Sequence, residues 1–287
     1  MAKSTFTLIL LACVLMLTGS AHGQTILLGT TNGNSTPNPI LFRVNLSTGA
    51  GTVIGSLPFG GEGGGITELV INRATGQAWV QGADGAFQIQ QMNPATGAAI
   101  GGVVGDQHAF NGLQFLGNVL YGVSIDSSRG PSTLRLLNPA TGTSTAVGLT
   151  GYGPMSGLAW NGSILYGIEG GGGEGGGGNR LFTINTSTGA ATAVGSSGIA
   201  MGSLSFGPDG NLYAGGADSR IYRINPATGA ATLVGPTGFA DAISGLALYN
   251  GTTGSVAVPA LSGIALVGLA ILLLASASLF LLRRQRA

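Results

Sequence analysis

Apolar residues along this chain fall in short runs of four to six, each broken by Gly, Asn, Thr or Pro before another run begins. Ile221, Tyr222 and Ile224 precede one such break and Leu233 and Val234 follow it. Leu204 and Phe206 lead through Pro208-Asp209-Gly210-Asn211 into Leu212, Tyr213 and Ala214. Runs of this length, with turn chemistry between them, predict β-hairpins. Similar hairpins run from Leu158 to Ile168 through Asn161-Gly162, and from Leu113 to Val123 through Gly117-Asn118.

The hairpins repeat. The pentapeptide Asn-x-(Ser/Ala)-Thr-Gly occupies 45–49, 93–97, 138–142, 185–189 and 225–229, with its glycines 48, 45, 47 and 40 residues apart. Such a period belongs to arrays in which each unit is one small sheet. Pro at the second position presets φ for a turn, Asn caps it, and Gly takes the left-handed position. Each unit then holds four strands, the pentapeptide joining the third to the fourth.

First strands are expected near Ile66–Ile71, Leu113–Leu116, Gly157–Trp160, Ser203–Phe206 and Gly245–Leu248. Second strands are expected near Thr25–Gly29, Gln77–Gln81, Val119–Val123, Ile164–Ile168 and Asn211–Ala214. The pattern opens on a second strand and closes on a first, so pairing the two would complete a fifth sheet and leave no unpaired end. This predicts an all-β fold over residues 24–251, a five-bladed β-propeller closed by its terminal strands. A β-solenoid is the rival architecture, although its rungs are usually shorter. Leu204 to Gly235, with its Pro-Asp-Gly-Asn and Asn-Pro-Ala-Thr-Gly turns, resembles the blade pattern of WD40-like and NHL-like propellers. The Trp-Asp dipeptide and Gly-His pair of WD40 blades are missing.

The ends read differently. Lys3, the apolar stretch Phe6–Leu17 and Ala21-His22-Gly23 have the layout of a secretory signal peptide over residues 1–23, which predicts export. Residues 252–263 form a linker containing Val258-Pro259-Ala260-Leu261-Ser262. The uncharged run 264–282 follows, about 28 Å long as a helix and sufficient to span a bilayer. Arg283, Arg284 and Arg286 lie in the tail 283–287 and are expected to stay in the cytoplasm, placing the repeats outside. This three-part end resembles the IPTL-CTERM and PEP-CTERM sorting signals of Gram-negative bacteria. The resemblance implies an exosortase-type membrane peptidase as partner and delivery to the cell surface or extracellular matrix. Val258 and Ala260 depart from the Ile-Pro-Thr-Leu-Ser form.

Composition narrows the chemistry. Gly supplies 54 of 287 residues and aromatics 6%, which suits tapering blades and many turns. The region from Gln24 to Pro259 has no lysine and a net charge of −3, so nucleic acid is not an expected partner. Beyond the leader there is one histidine, His108, and no cysteine, which excludes a cysteine nucleophile and any multi-histidine metal site. No cofactor and no metal are expected. The glycine runs 60–65 and 170–178 lack the ending of a phosphate loop and read as surface loops.

Tight turns should occupy one face of the ring and the longer second-to-third and fourth-to-first links the other. Glu62, Asp106, Asp126, Glu169, Glu174, Asp218 and Asp241 fall in the long links, with His108, Arg129, Tyr152 and Arg220 beside them. Function commonly rides on long loops held by a rigid scaffold. The expectation is a non-catalytic exported protein that binds a glycan, protein or envelope polymer on that face. The alternatives are a lyase or hydrolase using loop carboxylates, and a purely structural envelope protein.

Overall fold

In the computed structural model the described residues are 25–33, 38–57, 65–82, 88–105, 108–125, 130–170 and 179–251. The signal peptide, the sorting motif, the apolar run and the basic tail lie outside them, as do Glu62, Asp106, Asp126, Arg129 and Glu174.

The described residues form five four-stranded antiparallel sheets. The first joins both ends of the fold: β1 (Thr25–Thr31), β2 (Ile40–Val44) and β3 (Gly51–Ser56) pair in order, and β20 (Ile243–Asn250) pairs with β1 as the innermost strand. Blade 2 is β4 (Ile66–Ile71), β5 (Ala78–Gly82), β6 (Gln88–Met92) and β7 (Ala99–Gly105). Blade 3 is β8 (Ala109–Leu116), β9 (Val119–Ile125), β10 (Thr133–Leu137) and β11 (Ser144–Leu149). Blade 4 is β12 (Met155–Trp160), β13 (Leu165–Glu169), β14 (Arg180–Ile184) and β15 (Ala191–Ser196). Blade 5 is β16 (Met201–Phe206), β17 (Leu212–Gly216), β18 (Arg220–Ile224) and β19 (Ala231–Pro236). The terminal strands run in register from Thr25 opposite Asn250 to Thr30 opposite Gly245. The expected five-bladed propeller, with ring closure through the two ends, is the fold.

The pentapeptides act as predicted. In each, the glycine N–H donates to the Asn carbonyl at 2.8 Å, and the third residue's N–H donates to the Asn Oδ1 at 2.9 Å. All five glycines have φ between 76° and 80°. A sixth copy, Asn72-Arg73-Ala74-Thr75-Gly76, joins β4 to β5 with the same bonds, so the motif is a portable turn and not a marker of one hairpin.

Two β-bulges recur around the ring, and the sequence pattern concealed both because a bulge is defined by the register with the partner strand. In the outermost strands of blades 1, 3, 4 and 5 the extra residue is Ile54, Val147, Val194 or Val234. Each packs against the apolar core shared with the next blade. The glycine after it receives the neighbouring pentapeptide. A Cβ at Gly55, Gly148, Gly195 or Gly235 would lie 2.0–2.1 Å from the carbonyl oxygen of Thr96, Thr188, Thr228 or Thr48. Across blades 2 and 3 a Cβ at the pentapeptide glycine Gly142 would lie 2.6 Å from the Gly105 carbonyl oxygen. The Gly235–Thr48 contact joins blade 5 to blade 1.

In the innermost strands the bulged residues are Thr67, Asn111, Ser156, Gly202 and Ser244. These bulges explain why β8, β12, β16 and β20 begin two to four residues before the predicted starts. Five apolar clusters, one between each pair of adjacent blades, make up the core, and each holds one first-strand leucine: Leu69, Leu113, Leu158, Leu204 or Leu246. Burial is therefore distributed among seams instead of gathered in one centre.

Candidate functional site

The predicted residues that can be placed lie at the long-link end of the blades, but they form separate groups. The best-defined group is on blade 4. Glu169 ends β13 and Arg180 starts β14, so one long link places their side chains on facing strand ends. Arg180 donates from Nε to Glu169 Oε2 and from Nη2 to Oε1, both at 2.9 Å. The Glu169 side chain is 4% exposed and that of Arg180 is 39% exposed. A bidentate pair of this kind fixes the guanidinium plane. The bond to Glu169 raises the Arg180 pKa above its ordinary value. The guanidinium carbon lies 5.3 Å from the Tyr152 ring centre and 5.5 Å from that of Phe182, and the two rings are 4.7 Å apart. Tyr152 is held by its backbone: its carbonyl accepts from Thr150 Oγ1 at 2.5 Å and from the Ser132 N–H at 2.9 Å.

Blade 5 carries a looser counterpart. Arg220, at the equivalent start of β18, lies 3.6 Å from Asp218, and both side chains are about half exposed. The Tyr222 hydroxyl donates to Asp218 Oδ2 at 2.6 Å. Burial, followed by this bond, raises the Tyr222 pKa. The residues preceding the two arginines, Asn179 and Ser219, have φ of 48° and 64°, the positive-φ non-glycine positions among the described residues. Backbone strain at equivalent points of adjacent blades favours a positional role for the arginines that follow.

His108 stands apart, its Nε2 accepting from Arg135 Nη2 at 2.6 Å. Arg135 also donates to Ser124 and Ser144, so this group staples blade 3 together. Asp241 is 2% exposed, and its carbonyl accepts from Ser219 Oγ at 2.7 Å. Neither His108 nor Asp241 joins the blade 4 cluster through a described contact. Among the described residues no three His, Cys, Asp or Glu side chains group together.

Sequence reasoning passed over Glu68. It is 2% exposed, at the point where the other four innermost strands carry Gly112, Gly157, Ser203 and Gly245. One carboxylate oxygen accepts from the Leu69 N–H at 3.0 Å, and Oε2 has no partner. Burial pushes its pKa well above the usual carboxylate range, against smaller opposing effects from the Leu69 and Leu113 amides. Its cross-strand neighbour Gln81 donates to the Phe110 carbonyl across the seam and leaves Oε1 unpartnered.

The fold is shared with known structures while the sequence is not. The chain is similar to a protein in the crystal structure of a nidogen/laminin complex, with 11% identity and a TM-score of 0.53 over 79% of this chain and 98% of that one. It also resembles a protein of unknown function from Bacteroides caccae, at 12% identity and a TM-score of 0.44, covering 72% of this chain and 71% of the other. A protein of unknown function from Bacteroides thetaiotaomicron gives 14% and 0.42, covering 58% of this chain and 42% of the other. At 11% identity the likeness to the first of these is one of fold alone. No family model matches the chain, and no curated protein matches it.

Proposed function

We propose that this is an exported, non-catalytic propeller that binds a glycan, a protein or a polymer of the cell envelope through its long-link face. The blade 4 cluster carries the reading. A guanidinium locked by a buried carboxylate and stacked on an aromatic ring is preorganised, so binding incurs little side-chain ordering cost. Arg180 leaves part of its donor fork at the surface, and Tyr152 offers an aromatic edge beside it. These are polar and π contacts suited to a hydroxylated or peptide ligand. Delivery is by the carboxyl-terminal signal, recognised by an exosortase-type membrane peptidase, with the helix holding the chain in the membrane until processing.

Two measurements test this. Screening the full chain against envelope glycans and proteins should find a ligand whose affinity falls about tenfold or more in Tyr152→Ala and Arg180→Ala. Retention of full affinity in both variants would overturn the long-link site. Mass spectrometry of the protein from its native host should show loss of everything after the Pro259 region. Recovery of an intact Arg286 from the mature surface protein would overturn processing.

A further inference from the structure

The opposite face of the ring has its own chemistry. Every tight turn within the propeller is among the described residues, and Asp209 is the only acid in them. Asp209 is already occupied, accepting from the Tyr213 hydroxyl and the Asn211 amide at 2.8 Å each. Three exposed arginines share this end of the blades. Arg43 and Arg223 occupy equivalent third-strand positions of blades 1 and 5, two residues before their pentapeptides, and Arg73 is within the first turn of blade 2. Blades 5, 1 and 2 are consecutive, so the arginines define one sector of the ring.

Two concave features open on the same face. One is a shallow axial mouth of about 20 Å³, where the innermost strands end, which a polymer crosses without entering; half-buried Trp160 and Phe206 from adjacent blades line it together with Gln114, Ser205 and Arg73. The other is a cavity of about 420 Å³ at the seam of blades 5 and 1, lined by Arg43, Asn45, Thr25 and Thr52 over an apolar floor that includes Leu27 and Val44. At the far end of the axis the equivalent ring is small and uncharged: Thr67, Asn111, Ser156, Gly202 and Ser244.

We propose that the tight-turn face is a second binding surface, for an acidic polysaccharide. Sugar rings present apolar C–H faces that pack on indole and phenyl groups; Trp160 rests on the seam of blades 3 and 4, Phe206 on Tyr166 at 5.8 Å in the seam of blades 4 and 5, and each keeps part of its ring exposed at the rim of the mouth. Sugar hydroxyls donate to Gln114 Oε1, the opposite end of an amide whose Nε2 donates to the Phe115 carbonyl at 3.0 Å, and the carboxylates or sulfates of the polymer meet Arg73, Arg43 and Arg223. A polymer suits the arrangement better than a small anion because the arginines are spread over three blades. The inference rests on the envelope-binding reading above but uses residues of the other face, so the two can fail separately.

The test is binding of the full chain to immobilised polygalacturonate and alginate, with dextran and amylose as neutral polymers. The wild-type chain should retain the two acidic polymers selectively. Raising NaCl from about 0.05 to about 0.5 M should release them, because the contacts are exposed and screened. Arg73→Glu and the pair Arg43→Glu with Arg223→Glu should each weaken retention at least roughly fivefold, and Trp160→Ala about tenfold. Arg73 is exposed, so its variant tests the surface even if Trp160→Ala unfolds. Equal binding of neutral and acidic polymers would overturn the ligand class. Loss of binding in Tyr152→Ala with none in Arg73→Glu would overturn this face and leave the long-link reading intact. A wild-type chain indifferent to all four polymers would overturn the proposal, while the long-link site would still be judged by its own variants.

Discussion

At the residue scale, Glu68 is the outlying choice in an otherwise apolar and glycine-rich seam. Where other blades let backbone approach backbone, blade 2 inserts a carboxyl and an amide, and leaves one oxygen of each without a partner. Among the described residues no charged side chain offsets the burial of Glu68. The linkage sign follows: its folded pKa lies above the unfolded value of about 4.3, so the contribution to stability is greatest below that pH and is lost as pH rises towards the folded pKa. Glu68→Gln should therefore raise the melting temperature at neutral and alkaline pH, by on the order of 2–5 °C, and flatten its decline with pH. Thermal unfolding of both proteins from about pH 5 to 9 checks this; parallel profiles would contradict it. Asp209 has the opposite sign. Burial alone would raise its pKa, but hydrogen bonds from Asn211 and Tyr213 hold it below the ordinary value, so its stabilisation is lost as pH falls through its folded pKa. The Tyr213 hydroxyl is correspondingly pushed up to about 12, by burial first and by Asp209 second.

At the element scale, the outermost strand carries more instruction than its exposed surface suggests. Its bulge turns Ile54, Val147, Val194 or Val234 towards the next blade, and the glycine that follows admits the neighbouring turn. Gly195→Ala and Gly235→Ala should each cost about 1–3 kcal/mol, since the added methyl would meet backbone and not a movable side chain. Gly101→Ala meets nothing within 4 Å but has φ of 69°, so its cost should be closer to about 1 kcal/mol, from the backbone alone. Chemical denaturation of the three variants would separate these causes. Much of this level was legible in the chain: the Asn-to-Gly turns, their strands and their order follow from residue type. The bulges were not, because Ser156 or Val194 in a strand looks like an ordinary alternating position until its partner strand is known. The copy at Asn72 shows the limit of motif reading, since the same five residues close a different hairpin.

At the scale of the whole molecule, a ring with two unlike faces accounts for what was and was not foreseen. The chain opens with a second strand and closes with a first, and this was enough to deduce the shared blade. It also foretold that Glu169, Arg220 and Tyr152 lie at the long-link end. It did not reveal that Arg180 stacks between Glu169 and the aromatic pair, nor that Arg43, Arg73 and Arg223 share a sector. Such juxtapositions depend on blade-to-blade distances, which spacing along the chain does not encode. The distributed core has a further consequence. Each seam is sealed by its neighbours, so opening the β1–β20 pairing leaves a strand edge exposed and weakens the seams on both sides of blade 1.

That pairing is the most direct point of attack. Thr25 faces Asn250 and Ile26 faces Tyr249 in an antiparallel ladder, so one of the two pairs is the closely spaced, non-hydrogen-bonded kind, at about 4.5 Å between Cα atoms. The measurement is disulfide formation in the double variants Thr25→Cys with Asn250→Cys and Ile26→Cys with Tyr249→Cys. The closed ring predicts that at least one pair oxidises within a single chain to near completion and raises the melting temperature. Failure of both pairs to form an intrachain bond in the folded protein, or cross-linking only between chains, would contradict it.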